Sequence, residues 1–367
     1  MKIVQILPEL NAGGVERGTL ELAGHLAGAG HDSLVISNGG RLVEALEQSG
    51  ARHLPLPVHR KSLATLLQVL PLRRLLARER PDILHIRSRV PGWVAWLAWR
   101  GMDPATRPGL VTTVHGFYSV NAYSAIMTRG ERVIAVSESI RSYVMANYPR
   151  VEREIIRVIA RGIDPERDHP DFQPAAEWLA GWRLDQAALA GKCVLLLPGR
   201  ITRLKGHEDF FALLVALKAA GIPVHGLVAG DTHATKRAYL DELRGLVGTL
   251  GLEDDITFLG HRADIREVMA VSDLICALSQ QPESFGRTVL EALALGKPVV
   301  GYACGGVGEL LDVLFPAGRV PMGDRARLAE VARAVIRDRS RPLPVGAPFT
   351  LEAMCRATVA VYEELVR

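Results

Sequence analysis

The chain alternates short apolar runs with amphipathic segments along most of its length, and this alternation limits its fold most strongly. Runs typical of buried strands occupy 3–7, 33–37, 83–86, 111–114, 133–136, 194–197, 224–229, 256–259, 273–278 and 298–302. Helical patterns lie between them, among them 15–28, 63–78, 94–99, 207–220, 236–250, 264–270 and 288–295. Strands that alternate with helices pair in parallel, with helices on both faces of the sheet. The pattern therefore predicts an α/β protein with doubly wound, Rossmann-like sheets.

The length of 367 residues exceeds what one core usually supports, so we expect two such domains. The N-terminal domain is predicted over 1–164 and the C-terminal domain over 191–350. The polar, proline-bearing stretch 165–190 is predicted to be a linker. A last helix over 351–367 is expected to pack back on the first domain.

Composition excludes several classes of protein. A hydrophobic fraction of 48% with 23% charged residues is typical of a soluble globular chain, and a net charge of +4 is too small to indicate nucleic acid as a partner. Cys193, Cys276, Cys304 and Cys355 lack metal-ligand spacing, so we expect buried, reduced thiols and no metal site. No export signal or membrane-spanning stretch is predicted, which favours the cytoplasm.

Two carboxylates, Glu283 and Glu291, bracket the start of a predicted helix that follows an apolar strand. Phe285, Gly286 and Arg287 are expected in its first turn, where free N–H groups and the helix dipole attract phosphate. Carboxylates on either side could accept hydrogen bonds from sugar hydroxyls, so the pair suggests a nucleotide sugar. The alternative is a dipole partner at the helix start and a solvated helix residue.

Two cations lie at the end of an earlier strand of the same half. Arg200 follows the strand 193–198, and Lys205 precedes the next helix. Ligands of such sheets bind beyond the carboxyl ends of the strands, so the two cations are expected beside a diphosphate. Ordinary surface cations are the alternative. A second glycine-rich turn, 304–309, favours the phosphate interpretation.

In the first half, Gly13 and Gly14 follow the first strand and allow a close approach of a ligand to the backbone. Their spacing is not that of a dinucleotide fingerprint, and 38–40 lacks the ribose-binding acid, so a nicotinamide oxidoreductase is disfavoured. His115 ends the strand 110–114, which places an imidazole in the predicted cleft between the domains. A lone histidine is usually structural.

These motifs together resemble the family 4 retaining glycosyltransferases of GT-B fold, over essentially the whole chain. Segment 13–17 resembles the glycine loop of the family, 199–206 its diphosphate-binding Arg and Lys, and 283–291 its pair of glutamates separated by seven residues. Gly305, Gly306, Glu309, Gly323 and Asp324 also match. Segments 160–164 and 283–288 are similar to a bacterial branch associated with lipopolysaccharide core and related surface glycans. Arg287 departs from the aliphatic residue that most members carry.

The resemblance implies two Rossmann-like domains that face each other across a cleft. It implies a hexosyltransferase-like enzyme that moves a sugar, with retention, from a nucleoside diphosphate sugar to an acceptor hydroxyl. No metal or cofactor would be required. Arg200 and Lys205 would stabilise the departing diphosphate, Glu283 would position the donor sugar, Glu291 would bind the ribose, and His115 would contact the sugar from the opposite domain.

Two other functions remain open at this point: a GT-B epimerase or hydrolase of sugar nucleotides, and a non-catalytic nucleotide-sugar-binding module. The expected partners are a nucleotide-sugar donor and a glycan or glycolipid acceptor. Leucines and cations in 60–80 also suggest peripheral contact with an anionic membrane at its inner face, against the alternative of an ordinary sheet-covering helix. They are Leu63, Leu66, Leu67, Leu70, Leu75, Leu76, Arg60, Lys61, Arg73, Arg74, Arg78 and Arg80.

Overall fold

The computed structural model describes residues 1–11, 13–231 and 237–366. Ala12, Lys236 and Arg367, which fall in the predicted glycine loop and in two predicted helices, lie outside the described residues. The chain forms two compact units. Unit 1 comprises Met1–Gly162 and Pro348–Arg367, and unit 2 comprises Ile163–Ala347.

Unit 1 is a parallel seven-stranded sheet with the order β3-β2-β1-β4-β5-β6-β7. Its strands are β1 (Lys2–Ile6), β2 (Asp32–Ser37), β3 (Arg52–Pro55), β4 (Ile83–Ile86), β5 (Gly109–Val114), β6 (Arg132–Ala135) and β7 (Ile156–Val158). Its helices are α1 (Gly14–Gly28), α2 (Val43–Gln48), α3 (Val69–Glu79), α4 (Arg89–Arg100), α5 (Glu138–Asn147) and the final helix of the chain, Leu351–Glu363. Strands such as β4, buried on both faces, explain the unbroken apolar runs.

Unit 2 has a parallel six-stranded sheet with the order β10-β9-β8-β11-β12-β13. Its strands are β8 (Cys193–Pro198), β9 (Val224–Ala229), β10 (Ile256–Gly260), β11 (Leu274–Ala277), β12 (Val299–Tyr302) and β13 (Arg319–Val320). Its helices are α6 (Ala176–Asp185), α7 (His207–Ala219), α8 (Arg237–Thr249), α9 (Ile265–Ala270), α10 (Arg287–Ala294), α11 (Gly305–Leu314) and α12 (Arg325–Asp338). The prediction of two α/β sheets of doubly wound type is confirmed.

The last helix of the chain, α13 (Leu351–Glu363), belongs to unit 1. Met354 and Tyr362 share a buried cluster with Ile3 of β1 and Val111 of β5. The chain can return because Gly162 carries no side chain: a Cβ there would lie 2.3 Å from the carbonyl carbon of Thr350. Thr350 in turn caps α13 by accepting a hydrogen bond from Ala353 N.

Two predicted elements differ from the structure. The stretch 165–190, predicted to be a linker, contains α6 and lies within unit 2, because Trp178 donates a hydrogen bond to Asp264 and stacks on Trp182. The predicted helix 63–78 is a 3-10 turn, Leu63–Gln68, followed by α3. Pro71 therefore stands in the first turn of α3, where proline is tolerated, rather than at a kink in mid-helix.

The strand orders identify where each sheet can bind a ligand. Strand order reverses between β1 and β4 in unit 1 and between β8 and β11 in unit 2. At such a switch point the loops leave the sheet in opposite directions and open a crevice beyond the carboxyl ends of the strands. Gly13 and Arg87 follow β1 and β4, whereas Arg200 and Glu283 follow β8 and β11.

Candidate active site

At the switch point of unit 2, an ion pair joins the two strands that flank it. Lys205 Nζ lies 2.6 Å from Glu283 Oε1, and both side chains are a little over one quarter exposed. Ser279 Oγ also donates a hydrogen bond to this carboxylate oxygen. The pairing of Glu283 with Lys205 brings together a predicted sugar-binding residue and a predicted diphosphate-binding residue.

Close backbone packing holds the two loops of this pair together. Gln280 N donates a hydrogen bond of 2.8 Å to the carbonyl of Leu204, in the 3-10 turn that carries Lys205. Gly206 follows with φ 71°, and a Cβ there would lie 2.1 Å from the carbonyl oxygen of Leu278. The side chain of Gln280 is fixed as well, by a bond of 2.7 Å to the buried carboxylate of Asp209. The Lys205–Glu283 pair is thus built on a rigid support.

The charge of Glu283 follows from its surroundings. Burial alone would raise the pKa of this carboxyl group. The Lys205 ammonium, together with hydrogen bonds from Lys205 and Ser279, instead holds the pKa of Glu283 below its usual value. Glu283 is therefore an ionised hydrogen-bond acceptor at neutral pH.

The first turn of α11, which begins at Gly305, packs against the Glu283 loop. Gly306 N donates a hydrogen bond of 2.8 Å to the carbonyl of Glu283. A Cβ on Gly305 would lie 2.3 Å from that same oxygen, and a Cβ on Gly306 would lie 2.3 Å from Cα of Phe285. Glycine is required at both positions because the two backbones touch. In this structure Gly305 and Gly306 shape the Glu283 loop.

Helix α10 begins at Arg287, one residue before the predicted helix 288–295, so Phe285 and Gly286 precede its first turn. Gly286, with φ 93°, occupies the N-cap position without a side-chain cap, and Arg287 is the first helical residue. Phe285 is buried at 6% exposure, so its side chain is a core residue. Arg287 Nε lies 3.0 Å from Glu291 Oε1, one turn further along. The two predicted ligands Arg287 and Glu291 therefore form an ion pair.

Arg200 stands apart from these pairs. It follows Gly199, whose φ of 139° is in the region that favours glycine, and it is exposed. Gly199 packs so closely on the next loop that a Cβ on Gly230 would lie 1.9 Å from its carbonyl oxygen. Arg200 makes no ion pair with any residue in the described parts of the chain. Its guanidinium is available at the same sheet edge as Lys205.

In unit 1, Gly13 and Gly14 open α1 without a side-chain cap. Both glycines are exposed, and a Cβ on Gly14 would meet no atom within 4 Å. A Cβ on Gly13 would lie 2.4 Å from Glu16 Oε2, a flexible side chain. The protein itself therefore leaves space at Gly14, and a requirement for glycine there would have to come from a ligand.

His115 follows β5 and belongs to a buried polar group. Arg161 Nη2 donates a hydrogen bond to His115 Nδ1, and His115 Nε2 is buried without a partner. Burial, followed by the charges of Arg161 and Arg87, lowers the pKa of His115 well below its usual value. His85, bonded to Tyr362 and Thr113, is affected in the same way.

Comparisons with known proteins bear on the whole chain. The model for Glycosyltransferase Family 4 matches residues 12–167, and the model for glycosyl transferases group 1 matches residues 183–343. The lipopolysaccharide core biosynthesis mannosyltransferase LpsB of Rhizobium meliloti is 31% identical over 258 residues, which cover 66% of this chain and 68% of LpsB. The chain belongs to the family 4 glycosyltransferases.

Solved structures show the same fold for this glycosyltransferase. A glycosyltransferase from Rickettsia africae superimposes with a TM-score of 0.83 at 27% identity, covering 100% of this chain and 98% of the other. Anabaena HepE, in complex with UDP and glucose, superimposes with a TM-score of 0.81 at 23% identity, covering 99% of each chain. The predicted GT-B fold and the predicted sugar-transfer activity are confirmed.

Three residues of the glycosyltransferase's polar groups were not assigned from the sequence. Arg87 and Arg161 lie beside His115 in unit 1, and Ser279 contacts Glu283 in unit 2. Each follows the end of a strand, which is the signal that located Arg200 and His115. The pairing partners depend on contacts between segments far apart in the chain, and periodicity carries no information about these.

Among the described residues, no three His, Cys, Asp or Glu side chains come together as a metal site would require. The four cysteines are free, and Cys276 and Cys355 are buried. Within the same residues, no helix combines the length and the hydrophobicity needed to cross a membrane.

Proposed function

We propose that this glycosyltransferase moves a sugar from a nucleoside diphosphate sugar, with retention of configuration, to a hydroxyl of a lipopolysaccharide or another cell-surface glycan or glycolipid. The observation that carries the donor class is the Lys205–Glu283 pair at the switch point of unit 2. The acceptor class is supported by the similarity to LpsB, a lipopolysaccharide core mannosyltransferase.

The donor would be held by exchange of partners within this pair. A diphosphate carries more charge than a carboxylate and offers several acceptor oxygens, so it can compete for the Lys205 ammonium. Arg200, which is exposed, would bind the same diphosphate, and the start of α10 at Gly286 would add backbone N–H groups. Glu283, released from Lys205, would then accept hydrogen bonds from sugar hydroxyls.

Glu291 is assigned to the ribose, Arg287 to a phosphate or acceptor oxygen, and Gly13 and Gly14 to a close approach of substrate to the backbone of unit 1. We assign His115 to the donor sugar. Phe285 serves through its position in the backbone, because its side chain is buried.

We propose that transfer needs no cofactor, since the nucleoside diphosphate sugar is a substrate and the protein's own cations would face the departing diphosphate. Arg200 and Lys205 would stabilise the charge that develops on the leaving group. Transfer is therefore expected to persist in the presence of EDTA. Loss of transfer with EDTA and its recovery with Mg²⁺ or Mn²⁺ would contradict a mechanism without metal.

The decisive experiment follows a radiolabelled sugar from each of a panel of nucleotide sugars, with and without lipopolysaccharide core acceptors. Label recovered in the acceptor supports the proposal, and the anomeric configuration of the product by NMR tests retention. Label recovered only as free sugar or as an epimeric nucleotide sugar would indicate a hydrolase or an epimerase. Binding without turnover of any donor would indicate a non-catalytic module.

We also propose that unit 1 attaches to an anionic membrane at its cytoplasmic face. Leu63 and Leu67 in the 3-10 turn before α3 are 85% and 74% exposed, and Leu70 is 50% exposed. Among the leucines of residues 63–76, Leu72 and Leu76 are buried. An ordinary sheet-covering helix would bury its leucine stripe, so the exposed leucines support contact with an apolar phase.

The exposed leucines lie beside cations and aromatic rings. Lys61 and Arg74 are exposed, and Lys61 stacks over Tyr123 at 4.6 Å. On α4, which packs against α3, Trp93 and Trp96 are half-buried. Peripheral membrane binding typically combines three contacts: leucines enter the apolar part of the membrane surface, cations bind the lipid headgroups, and tryptophans lie between the two.

Cosedimentation with vesicles tests this attachment. Wild-type protein is expected to bind vesicles that contain phosphatidylglycerol and to be released by salt, because exposed charges are screened. Leu63→Ser with Leu67→Ser should abolish binding and Arg74→Glu should weaken it, whereas Leu184→Ser, at an 81% exposed leucine of unit 2, should have no effect. Equal binding by all variants would reject the proposed surface.

A further inference from the structure

The hydrogen bond between Arg161 and His115 determines where the imidazole carries its proton. A guanidinium has five N–H donors and no acceptor, and it stays protonated in proteins. Arg161 Nη2 therefore donates to His115 Nδ1, and Nδ1 must offer its lone pair. A neutral imidazole with a free lone pair on Nδ1 has its proton on Nε2. An imidazolium could not form this bond, since both of its nitrogens would carry protons.

The groups around His115 oppose a second proton. Arg161 and Arg87 are cationic neighbours, and His85 lies in the same buried group. Tyr118 faces His115 from the following loop, where its hydroxyl accepts the backbone N–H of His115 at 3.1 Å. In the described part of the chain, Arg161, Arg87 and His85 are the groups that shift the pKa of the ring, and Tyr118 contacts the backbone beside it. Burial and the two guanidinium charges together lower the pKa of His115.

The position of Arg161 is itself built into the fold. Arg161 follows β7, and its guanidinium lies against α1 at Gly18, where a Cβ would be 2.8 Å from Arg161 Nη1. The same Cβ would lie 3.4 Å from Arg87 Nη2, so both guanidinium groups lie beside Gly18, where the helix has no side chain. A Cβ at position 18 would force the Arg161 guanidinium to shift. Glycine inside a helix is unfavourable by about 1 kcal/mol, and this space accounts for it.

His115 Nε2 is buried and has no hydrogen-bond partner. Buried N–H groups are nearly always satisfied, and leaving one unsatisfied costs about 1–3 kcal/mol. An acceptor from outside the chain would remove this cost. A sugar hydroxyl is such an acceptor.

We propose that Arg161 is a positioning residue that holds His115 as a neutral imidazole with its proton on Nε2, so that His115 serves the donor sugar as a hydrogen-bond donor and not as a base. The assignment of the sugar as the acceptor rests on the proposed function. The state of the imidazole rests on Arg161 and His115 alone. His115 thus contributes orientation to catalysis, because an N–H donor with a fixed direction fixes the hydroxyl that it binds.

NMR of the full chain labelled with ¹⁵N-histidine tests the imidazole directly. The protein has 11 histidines, and His115→Gln identifies the signals of His115 by their loss. We expect a protonated Nε2 and an unprotonated Nδ1 that do not change between about pH 5 and pH 8. A proton on Nδ1, or titration of His115 within that range, would overturn the proposal whether or not the enzyme transfers sugar.

Variants of Arg161 show whether this residue is the cause. In Arg161→Met, which removes the donor to Nδ1, His115 should carry its proton on Nδ1 in part of the molecules, whereas Arg157→Met, at a half-exposed arginine of the same segment that pairs with Glu364, should leave the His115 signals unchanged. Unchanged His115 signals in Arg161→Met would overturn the role of Arg161. If Arg161→Met does not fold, Arg161→Lys, which keeps a cation and a donor, should preserve the Nε2 proton, and a Nδ1 proton in that variant would count against the proposal.

Transfer kinetics test the use of the N–H group. Glutamine can place an amide N–H near the position of Nε2, whereas asparagine reaches only that of Nδ1. We expect His115→Gln to retain about tenfold more kcat than His115→Asn, which corresponds to one hydrogen bond of about 1.4 kcal/mol. Equal kcat in the two variants would show that the Nε2 proton has no part in transfer.

Discussion

The two switch points of this molecule are built from similar residues but differ in how their charges are balanced. In unit 2, Lys205 pairs with Glu283 and Arg287 pairs with Glu291, and all four side chains keep some exposure. In unit 1, Arg87 is 3% exposed, and its one side-chain hydrogen bond among the described residues goes to the neutral amide of Gln5. One crevice holds exchangeable ion pairs, whereas the other holds a fixed polar lining.

The difference in charge balance determines what each crevice can bind. An ion pair with water nearby can open when a stronger anion arrives, because water stabilises the carboxylate that is released. A buried imidazole next to guanidinium groups has no such freedom, and its protonation state is constant over the working pH range. We therefore expect unit 2 to bind and release a charged leaving group, and unit 1 to hold neutral hydroxyls in one orientation.

The largest effect is expected for Glu283→Gln. The amide keeps the shape of the side chain but cannot be an anionic acceptor for sugar hydroxyls, so kcat should fall about 100-fold, as loss of a charge-assisted hydrogen bond implies. Affinity for the free nucleoside diphosphate should stay equal or increase, because Lys205 no longer has a competing carboxylate. Titration calorimetry with the diphosphate, beside transfer kinetics, measures both effects.

Glu291→Gln is the matched control for that experiment, since it removes a carboxylate eight residues away on the same helix unit. Its main effect should be weaker nucleotide binding through the ribose, with a smaller loss of kcat. If the two variants lost nucleotide affinity equally, the separate roles of Glu283 and Glu291 would be wrong.

A smaller but clear loss is expected for Lys205→Ala and Arg200→Ala. Each should weaken binding of the nucleoside diphosphate by about 1.5–3 kcal/mol, as hydrogen bonds to charged groups do. Lys218→Ala, in the last turn of α7, where Lys218 pairs with Asp255, should bind normally. Wild-type affinity in both Lys205→Ala and Arg200→Ala would exclude the diphosphate site proposed for unit 2.

The sequence predicted the fold and most of the elements because buried parallel strands such as β4 and β9 are unbroken apolar runs. It missed β3, β7 and β13, which are short and partly exposed and so carry little periodic signal. Segment 165–190 is polar and contains prolines, yet its helix packs through Trp178 and Trp182. Composition alone does not reveal that contact.

For the candidate site, the sequence located residues at strand ends but not their partners. Arg200, Lys205, Glu283 and His115 all follow strands that were predicted correctly. Whether Glu283 faces Lys205 is decided by Gly206 and Gly305, whose missing side chains let three loops touch. Contacts of this kind depend on tertiary packing, which has no local pattern in a single sequence.

Glu283 in unit 2 and His115 in unit 1 should make the stability of the protein depend on pH in different ranges. The pKa of Glu283 is lowered in the folded state, so its stabilising effect is complete above the unfolded value of about 4.3 and is lost as pH falls below it. The pKa of His115 is also lowered in the folded state, whereas its unfolded value is about 6.5. Below about pH 6.5 the unfolded chain therefore binds a proton that the folded chain does not, and stability falls as pH drops further.

Melting temperatures at several pH values test this contrast. The difference in Tm between wild type and His115→Gln should shrink between about pH 6.5 and pH 5, where the difference for Glu283→Gln should stay constant. The difference for Glu283→Gln should shrink below about pH 4.3. If the difference in Tm shrank over the same pH range for both variants, the two crevices would not differ in the way proposed.

The smallest effect is expected at Arg287, because its position in the helix limits what this cation can add to stability. A cation in the first turn of a helix opposes the helix dipole, and a cation that precedes its carboxylate by four residues is in the weaker orientation. The pair with Glu291 is 20% and 16% exposed, so it adds to stability by no more than about 1 kcal/mol. The benefit of Arg287 should therefore appear with ligand bound.

Arg287→Leu introduces the aliphatic character that most members of the family carry. We expect Tm to change by no more than about 4 °C, and the affinity for nucleoside diphosphate to fall about threefold, since loss of a partly screened contact costs less than loss of Lys205. Arg333→Leu, at an exposed arginine of α12, is the control for a lost surface charge. A large fall in Tm with unchanged affinity would show that Arg287 supports α10 and Glu291 instead, and the phosphate or acceptor contact would be withdrawn.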